Sequence, residues 1–284
     1  MELETYNFKA KKEGRHLLVF GSIHGNEKCG SQAAFKIIKE IENGTIKLTC
    51  GQVTFVPICN PKAYANNTRY IDKDLNRIIQ PHFKPKHYEE HVANQLIEVI
   101  NSCDTLLDIH SMGADSLPCI FMDYLTPENF ALMKVIDVPH VLAAWEEVYE
   151  NNIDCQSTEH YANKVGKSVL TLECGQHNDP NAPTVAYNAI FNALTHLGIT
   201  EHKPKKLKYK QEYFKFTHMF RKKEGSSFSE KWFHMQPLNQ GTVIGKDQTQ
   251  TYTLEKDAIM IMPALHAKIG SEWFYLAEKI DSFE

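Results

Sequence analysis

Several protein classes are excluded by what the sequence does not contain. No apolar run approaches the roughly 18 residues that a membrane span needs, so no membrane partner is expected. The opening residues, Met1-Glu2-Leu3-Glu4-Thr5-Tyr6, hold no apolar stretch of the secretory kind, and the expected location is cytoplasmic. The seven cysteines are odd in number and form no C-x-x-C pair. Reduced thiols acting as small hydrophobic residues are therefore expected, not a disulfide framework. Positive charge is not in excess: 31 Lys and Arg against 35 Asp and Glu give a formal net charge of -4. A general nucleic-acid binder would carry a basic field, so that partner class is excluded too. Heptads, repeats and low-complexity segments are all absent.

What is present is an ordinary globular balance, 42% hydrophobic and 23% charged over 284 residues. Such a chain buries a sizeable core without disulfides or structural metal. His16 to Phe20 is a short apolar run of the buried-strand kind, followed by Gly21. From about Lys28, Ala33, Ala34, Ile37, Ile38 and Ile41 recur at helical spacing until Asn43-Gly44. Val53–Ile58 reads as a strand closed by Asn60-Pro61, and residues 62–80 as a long loop. His87–Ile100 reads as a helix, Thr105–Ile109 as a strand running into His110, Ser168–Leu172 as a strand running into Glu173, and Ala182–Leu197 as a helix capped by Gly198. Strands alternating with helices predict an α/β fold: a mostly parallel or mixed sheet flanked by helices.

The pattern changes near Lys203. Lys203-Pro204-Lys205-Lys206 is a charged linker, and beyond it short strands at 213–220, 242–244, 251–254, 259–262 and 273–276 replace the helical period. The expected organisation is a catalytic domain over 1–203 and a small β-rich domain over 204–284. The aromatic residues Tyr213, Phe214, Phe216, Phe220 and Phe228 are expected in the core of the second part.

Polar residues collect where strands end, the place where open α/β sheets bind ligands. His24 and Glu27 stand three apart beside Gly25, and His110 follows a separate strand. Two histidines and a carboxylate form a set that suits catalytic zinc and leaves a position for water. Taken alone, His-x-x-Glu is a weak signal, since His87 and Glu90 repeat it. Arg69, Asn76 and Arg77 lie in an irregular loop, where a guanidinium fork can hold a carboxylate. Glu173 is either a paired structural acid or a general base. The pattern His87-x-x-Glu90-His91 matches an inverted zincin motif, but a helical wheel turns both histidines to solvent.

Taken together, His24-Gly25-Asn26-Glu27, the run from Thr68-Arg69-Tyr70-Ile71-Asp72 through Asp74-Leu75-Asn76-Arg77, Asp108-Ile109-His110 and Leu172-Glu173 resemble, in order, the succinylglutamate desuccinylase/aspartoacylase family. That family is similar in fold to zinc carboxypeptidases. The resemblance implies one zinc ion per chain held by His24, Glu27 and His110. It implies Arg69 at the scissile carbonyl and its oxyanion, Asn76 and Arg77 on the carboxylate of the amino-acid part, and Glu173 as general base. Asp108 could support a ligand histidine or simply close a strand-end hydrogen bond. The chain departs from the family in one respect: Tyr161 to Lys167 holds no arginine ahead of Glu173, where aspartoacylases hold a second carboxylate. Lys164 is the nearest substitute. The implied activity is hydrolysis of a small N-acyl amino acid. Alternatives are a metallocarboxypeptidase acting on short peptides and a non-catalytic binding protein of the same fold. Oligomeric state, a homo-oligomer included, is left open.

Overall fold

The computed structural model describes residues 2–149 and 156–283. In chain order the elements are β1 (Tyr6–Lys9), β2 (His16–Gly21), α1 (Cys29–Glu42), β3 (Gln52–Val56), α2 (Pro61–Asn66), α3 (Tyr88–Ser102), β4 (Thr105–Met112), β5 (Cys119–Phe121), α4 (Pro127–Met133), β6 (His140–Ala143), α5 (Thr158–Lys164), β7 (Ser168–Gln176) and α6 (Ala182–His196). Strands alone follow: β8 (Glu212–Arg221), β9 (Ser227–Phe228), β10 (Gln236–Leu238), β11 (Val243–Lys246), β12 (Thr251–Thr253), β13 (Ala258–Ile261) and β14 (Glu272–Ile280).

Eleven strands form one sheet in the order β1-β3-β2-β4-β7-β5-β6-β8-β14-β13-β10, and β12-β11-β9 form a second. The run β3-β2-β4-β7 is parallel, whereas β5 runs antiparallel to β7. The mixed α/β sheet read from the sequence is thus the observed one. Its centre is apolar on both faces because helices cover both. Side chains alternate along β2 with the two-residue period of a strand. Leu17 and Val19 pack with Ala33 and Ile37 of α1 and Ile190 of α6, while Leu18 and Phe20 pack with Val92 and Leu96 of α3. The C-terminal strands are antiparallel among themselves, and they extend the same sheet because β8 pairs in parallel with β6. Phe214 and Phe216 are buried there with Tyr275, in one cluster with Met112 and Trp145. No helix among the described residues is long and apolar enough to cross a membrane. Six cysteines are free thiols, and Cys155 lies outside the described residues.

Two expectations need correction. Residues 62–80 are not all loop: α2 fills Pro61–Asn66, and a single 3-10 turn fills Leu75–Arg77. Asn60-Pro61 is a helix start, since the Asn60 side chain accepts from the Ala63 N–H and Pro61 occupies the first turn. The second correction concerns β4 and β7, which do not stop before His110 and Glu173 but run through them to Met112 and Gln176.

Candidate functional site

The register between β4 and β7 sets the first distance in the site. His110 pairs directly with Glu173, and Asp108 with Thr171, so His110 and Glu173 sit side by side on one face of the sheet. His24 and Glu27 arrive from the neighbouring strand β2, in the turn that leads into α1. That turn is tight. Ser22 takes a left-handed φ of 50°, and its hydroxyl donates to the Glu27 carbonyl at 2.9 Å. Gly25 presses on α2 so closely that a Cβ there would fall 2.0 Å from the Ala63 carbonyl carbon. Only glycine permits that approach.

His24 and His110 both direct Nδ1 at the Glu27 carboxylate, each at 2.9 Å and each to a different oxygen. The three donor groups are buried and lie within 4.8 Å of one another, a set that could hold a metal ion. The far nitrogen of each ring meets a second carboxylate. His24 Nε2 is hydrogen-bonded to Asp74 Oδ1 at 3.0 Å, and His110 Nε2 lies 3.0 Å from Asp108 Oδ2 in a charge contact that is not aligned as a hydrogen bond. Metal-binding histidines are commonly oriented this way, because the outer carboxylate fixes the tautomer that turns the other nitrogen inward. Asp108 is fully buried and accepts from the Thr158 hydroxyl.

These charges fix one another. Burial pushes the Glu27 carboxyl up, but His24 and His110 hold it well below its usual range. Burial likewise opposes ionisation of Asp74, and Arg69 with His24 overrides it. His110 is raised well above an ordinary histidine despite burial, because Asp108 and Glu27 flank it. Glu173 goes the other way: burial, and next the negative Glu27, push its carboxyl up to about 7. Its Oε2 is buried with no hydrogen-bond partner among the described residues.

The arginine loop closes one side. Arg69 donates from Nε to Asp74 at 2.8 Å and from Nη1 to Glu27 at 3.4 Å, and its side chain stays 43% exposed. Asn76 is buried, with Oδ1 accepting from the Thr158 N–H at 2.9 Å. Arg77 donates from Nε and Nη2 to Glu272 Oε1 at 3.3 and 3.2 Å and lies 4.8 Å over the Trp145 ring. The loop is held by Glu89 of α3, which accepts the N–H groups of Ile71, Asp72 and Lys73. Its neighbour Glu90 accepts from the N–H groups of Lys86 and His87. The His87-x-x-Glu90-His91 pattern is thus a helix start, with His91 exposed.

Six of the residues singled out in the sequence, His24, Glu27, His110, Glu173, Arg69 and Asn76, therefore cluster, and Arg77 flanks them. Lys164 does not join them. It is exposed in the last turn of α5, which begins at Thr158 beside Asn76 and runs back toward Ser168. Ser168 is the opposite end of β7 from Glu173. Proximity to Glu173 in sequence misleads here because a helical turn and five residues of strand intervene. Sequence reasoning assigned no role to Asp74, although it lies inside the quoted run. Glu272 had no signal at all, since its meaning depends on where β14 lands.

Comparison with known proteins places the chain in a family. The family model for the succinylglutamate desuccinylase/aspartoacylase catalytic domain matches residues 13–197. An aspartoacylase of Danio rerio is 30% identical over 136 residues, 46% of this chain and 40% of that protein. A succinylglutamate desuccinylase of Pseudomonas aeruginosa is 32% identical over 87 residues, 31% of this chain and 24% of that protein. Both matches span well under two thirds of the relative's own length. In fold, the chain is similar to the crystal structure of a succinylglutamate desuccinylase/aspartoacylase from Rhodobacter sphaeroides, with a TM-score of 0.75 at 18% identity, covering 97% of this chain and 89% of that one. The chain belongs to the succinylglutamate desuccinylase/aspartoacylase family.

Proposed function

We propose that the protein is a zinc-dependent hydrolase that cleaves the amide bond of a small N-acyl amino acid. The observation that carries this reading is Glu173, a half-buried carboxyl whose buried Oε2 has no partner among the described residues, raised to about 7 and paired in register with His110 of a His2Glu triad. A structural acid in a strand would be satisfied, and a binding protein has no use for a proton acceptor there.

The donor set fits zinc: two imidazole nitrogens and a carboxylate, already convergent, with a supporting carboxylate behind each ring. Zinc held by His24, Glu27 and His110 would supply a Lewis acid and bring the pKa of a water it carries to about 7. The protein does the rest. Glu173 takes a proton from the attacking water and returns it to the amine as the carbon–nitrogen bond breaks, giving a carboxylic acid and a free amino acid. Arg69 faces Glu27 and Asp74 with part of its fork and keeps other N–H groups for the oxyanion. Arg77 has five N–H donors. Two are spent on Glu272 and one on the Asn76 carbonyl, which leaves two for the substrate carboxylate, beside the Asn76 amide.

A panel of N-acyl amino acids against peptides of four or more residues tests the reading on zinc-loaded protein. Cleavage of the small substrates alone is expected, because Arg77 is flanked by Glu272 of β14 and the Trp145 ring. Efficient peptide cleavage would replace the reading with a carboxypeptidase. The two arginines should separate kinetically. Arg77→Ala removes a contact common to ground and transition states and should mainly raise KM. Arg69→Ala removes an oxyanion donor and should lower kcat by about a hundredfold or more. Matching profiles for the two variants would show that one assignment is wrong.

Lys164→Ala is expected to leave acidic and neutral substrates equally well cleaved, since that side chain is exposed away from Glu173. A selective loss on N-acetylaspartate would restore Lys164 to the binding site.

A further inference from the structure

Beyond the triad lies a cavity of 660 Å³. Gly113 and Ala114 line it on one side, and Phe228, Trp232, Phe233, Leu265 and Trp273 give it a largely aromatic surface, among charged and polar residues. Volumes of roughly 300–1,000 Å³ with aromatic walls and a few polar groups are typical of small-molecule sites. The cavity is at the reactive end of the sheet. Gly113 follows β4 directly, three residues past His110. The row His110–Glu173–Cys119–His140 runs across the strands, and the charge of His140 is felt by His234 in the cavity wall.

One side chain lies close to both the cavity wall and the triad. His177 shares a hydrogen bond with the hydroxyl of Ser111, the residue after His110, at 2.9 Å through Nδ1. Its Nε2 is 3.4 Å from the amide nitrogen of Asn26, the residue before Glu27. The same Nε2 would lie 3.7 Å from a Cβ built on Gly113. On the other flank the space is filled. Arg77 lies over Trp145, which packs edge-on against Tyr149, and Tyr149 bonds to Glu272 and Tyr275. A substrate with its carboxylate on Arg77 is therefore placed with its other half toward Gly113, away from Trp145 and Tyr149.

The chemistry of the cavity narrows what that half is. The charged lining residues Lys222, Lys231, Asp115 and Glu230 cancel, so charge does not select the ligand. His234 supplies the specific polar group. The Met262 N–H donates to its Nδ1 at 3.2 Å, which leaves the proton on Nε2. That Nε2 is buried and has no partner among the described residues. Burial also pushes the His234 pKa down to about 4, so the ring is a neutral donor at physiological pH.

We infer that this cavity is the acyl subsite, and that it takes a bulky aromatic acyl group bearing an oxygen acceptor. The inference rests on the deacylase reading for the word acyl. The aryl site itself is read from the cavity alone.

Calorimetric titration of the zinc-loaded protein with 4-hydroxyphenylacetate, phenylacetate and acetate tests it without turnover. The aryl acids should bind at least about tenfold more tightly than acetate. Leu265→Trp, at a position 62% exposed and therefore tolerant, should fill the mouth and cost at least about tenfold for the aryl acids while sparing acetate. Ala114→Trp should do the same from the opposite wall. His234→Phe should weaken 4-hydroxyphenylacetate and leave phenylacetate unchanged. Equal binding of aryl acids and acetate, or indifference to both tryptophan variants, overturns the subsite. Turnover of an N-(4-hydroxyphenylacetyl) amino acid against its N-acetyl counterpart then separates the two claims. Cavity-dependent binding with no deacylation of any N-acyl amino acid would sink the proposed activity and leave the aryl site standing.

Discussion

His110→Ala protein should contain no zinc and show no hydrolysis above background, and His24→Ala should match it. Each substitution removes one of three donor groups that lie within 4.8 Å of one another, and two donors cannot hold the ion against water. The effect is not confined to the metal. Each histidine also balances one oxygen of Glu27, a carboxylate with only 2% of its surface exposed. Removing one partner of a buried pair costs about 3–5 kcal/mol, because the remaining charge is left uncompensated. Both variants should therefore melt earlier as well. Metal content by mass spectrometry and a thermal melt on the same samples separate the two effects. Full zinc occupancy in both folded variants would sink the ligand assignment.

Glu173→Gln should carry its zinc and bind substrate, yet turn over about two to four orders of magnitude more slowly. Glutamine keeps the shape and removes the proton acceptor. The site tolerates it sterically and electrostatically, since the carboxyl is already pushed toward neutrality by burial and Glu27. No structural hydrogen bond to Oε2 is lost, as none exists among the described residues. Stability should therefore be preserved or improved, in contrast with the histidine variants. A defect seen only in KM would move Glu173 from proton transfer to binding.

The site was legible wherever chemistry and local order coincide. His24 and Glu27 are three apart in one turn, so their closeness is readable without the fold. His110 and Glu173 were recognisable as strand-end residues, but their direct pairing is a register between two strands, which no local pattern encodes. The same holds for Glu272. Nothing near it in sequence tells that β14 lands where its carboxylate meets Arg77. Lys164 shows the complementary case: it is near Glu173 along the chain, yet it lies exposed in the last turn of α5, before the start of β7. In the fold, β2 and α1 were read within a residue or two because apolar periodicity marks a covered face. The helix α2 escaped because six residues carry too little periodicity, even though its Asn-Pro start was visible.

The ion pair between Arg77 and Glu272 also orders events during synthesis. The triad and Glu173 all lie on elements complete by Gln176, whereas Glu272 sits on β14, far later in the chain. A nascent chain emerging from the ribosome thus contains His24, Glu27, His110 and Glu173 before the strand that pairs with Arg77 has been made. Arg77 is therefore the last of these side chains to be tied down, when β14 pairs with β8 and brings Glu272 to it.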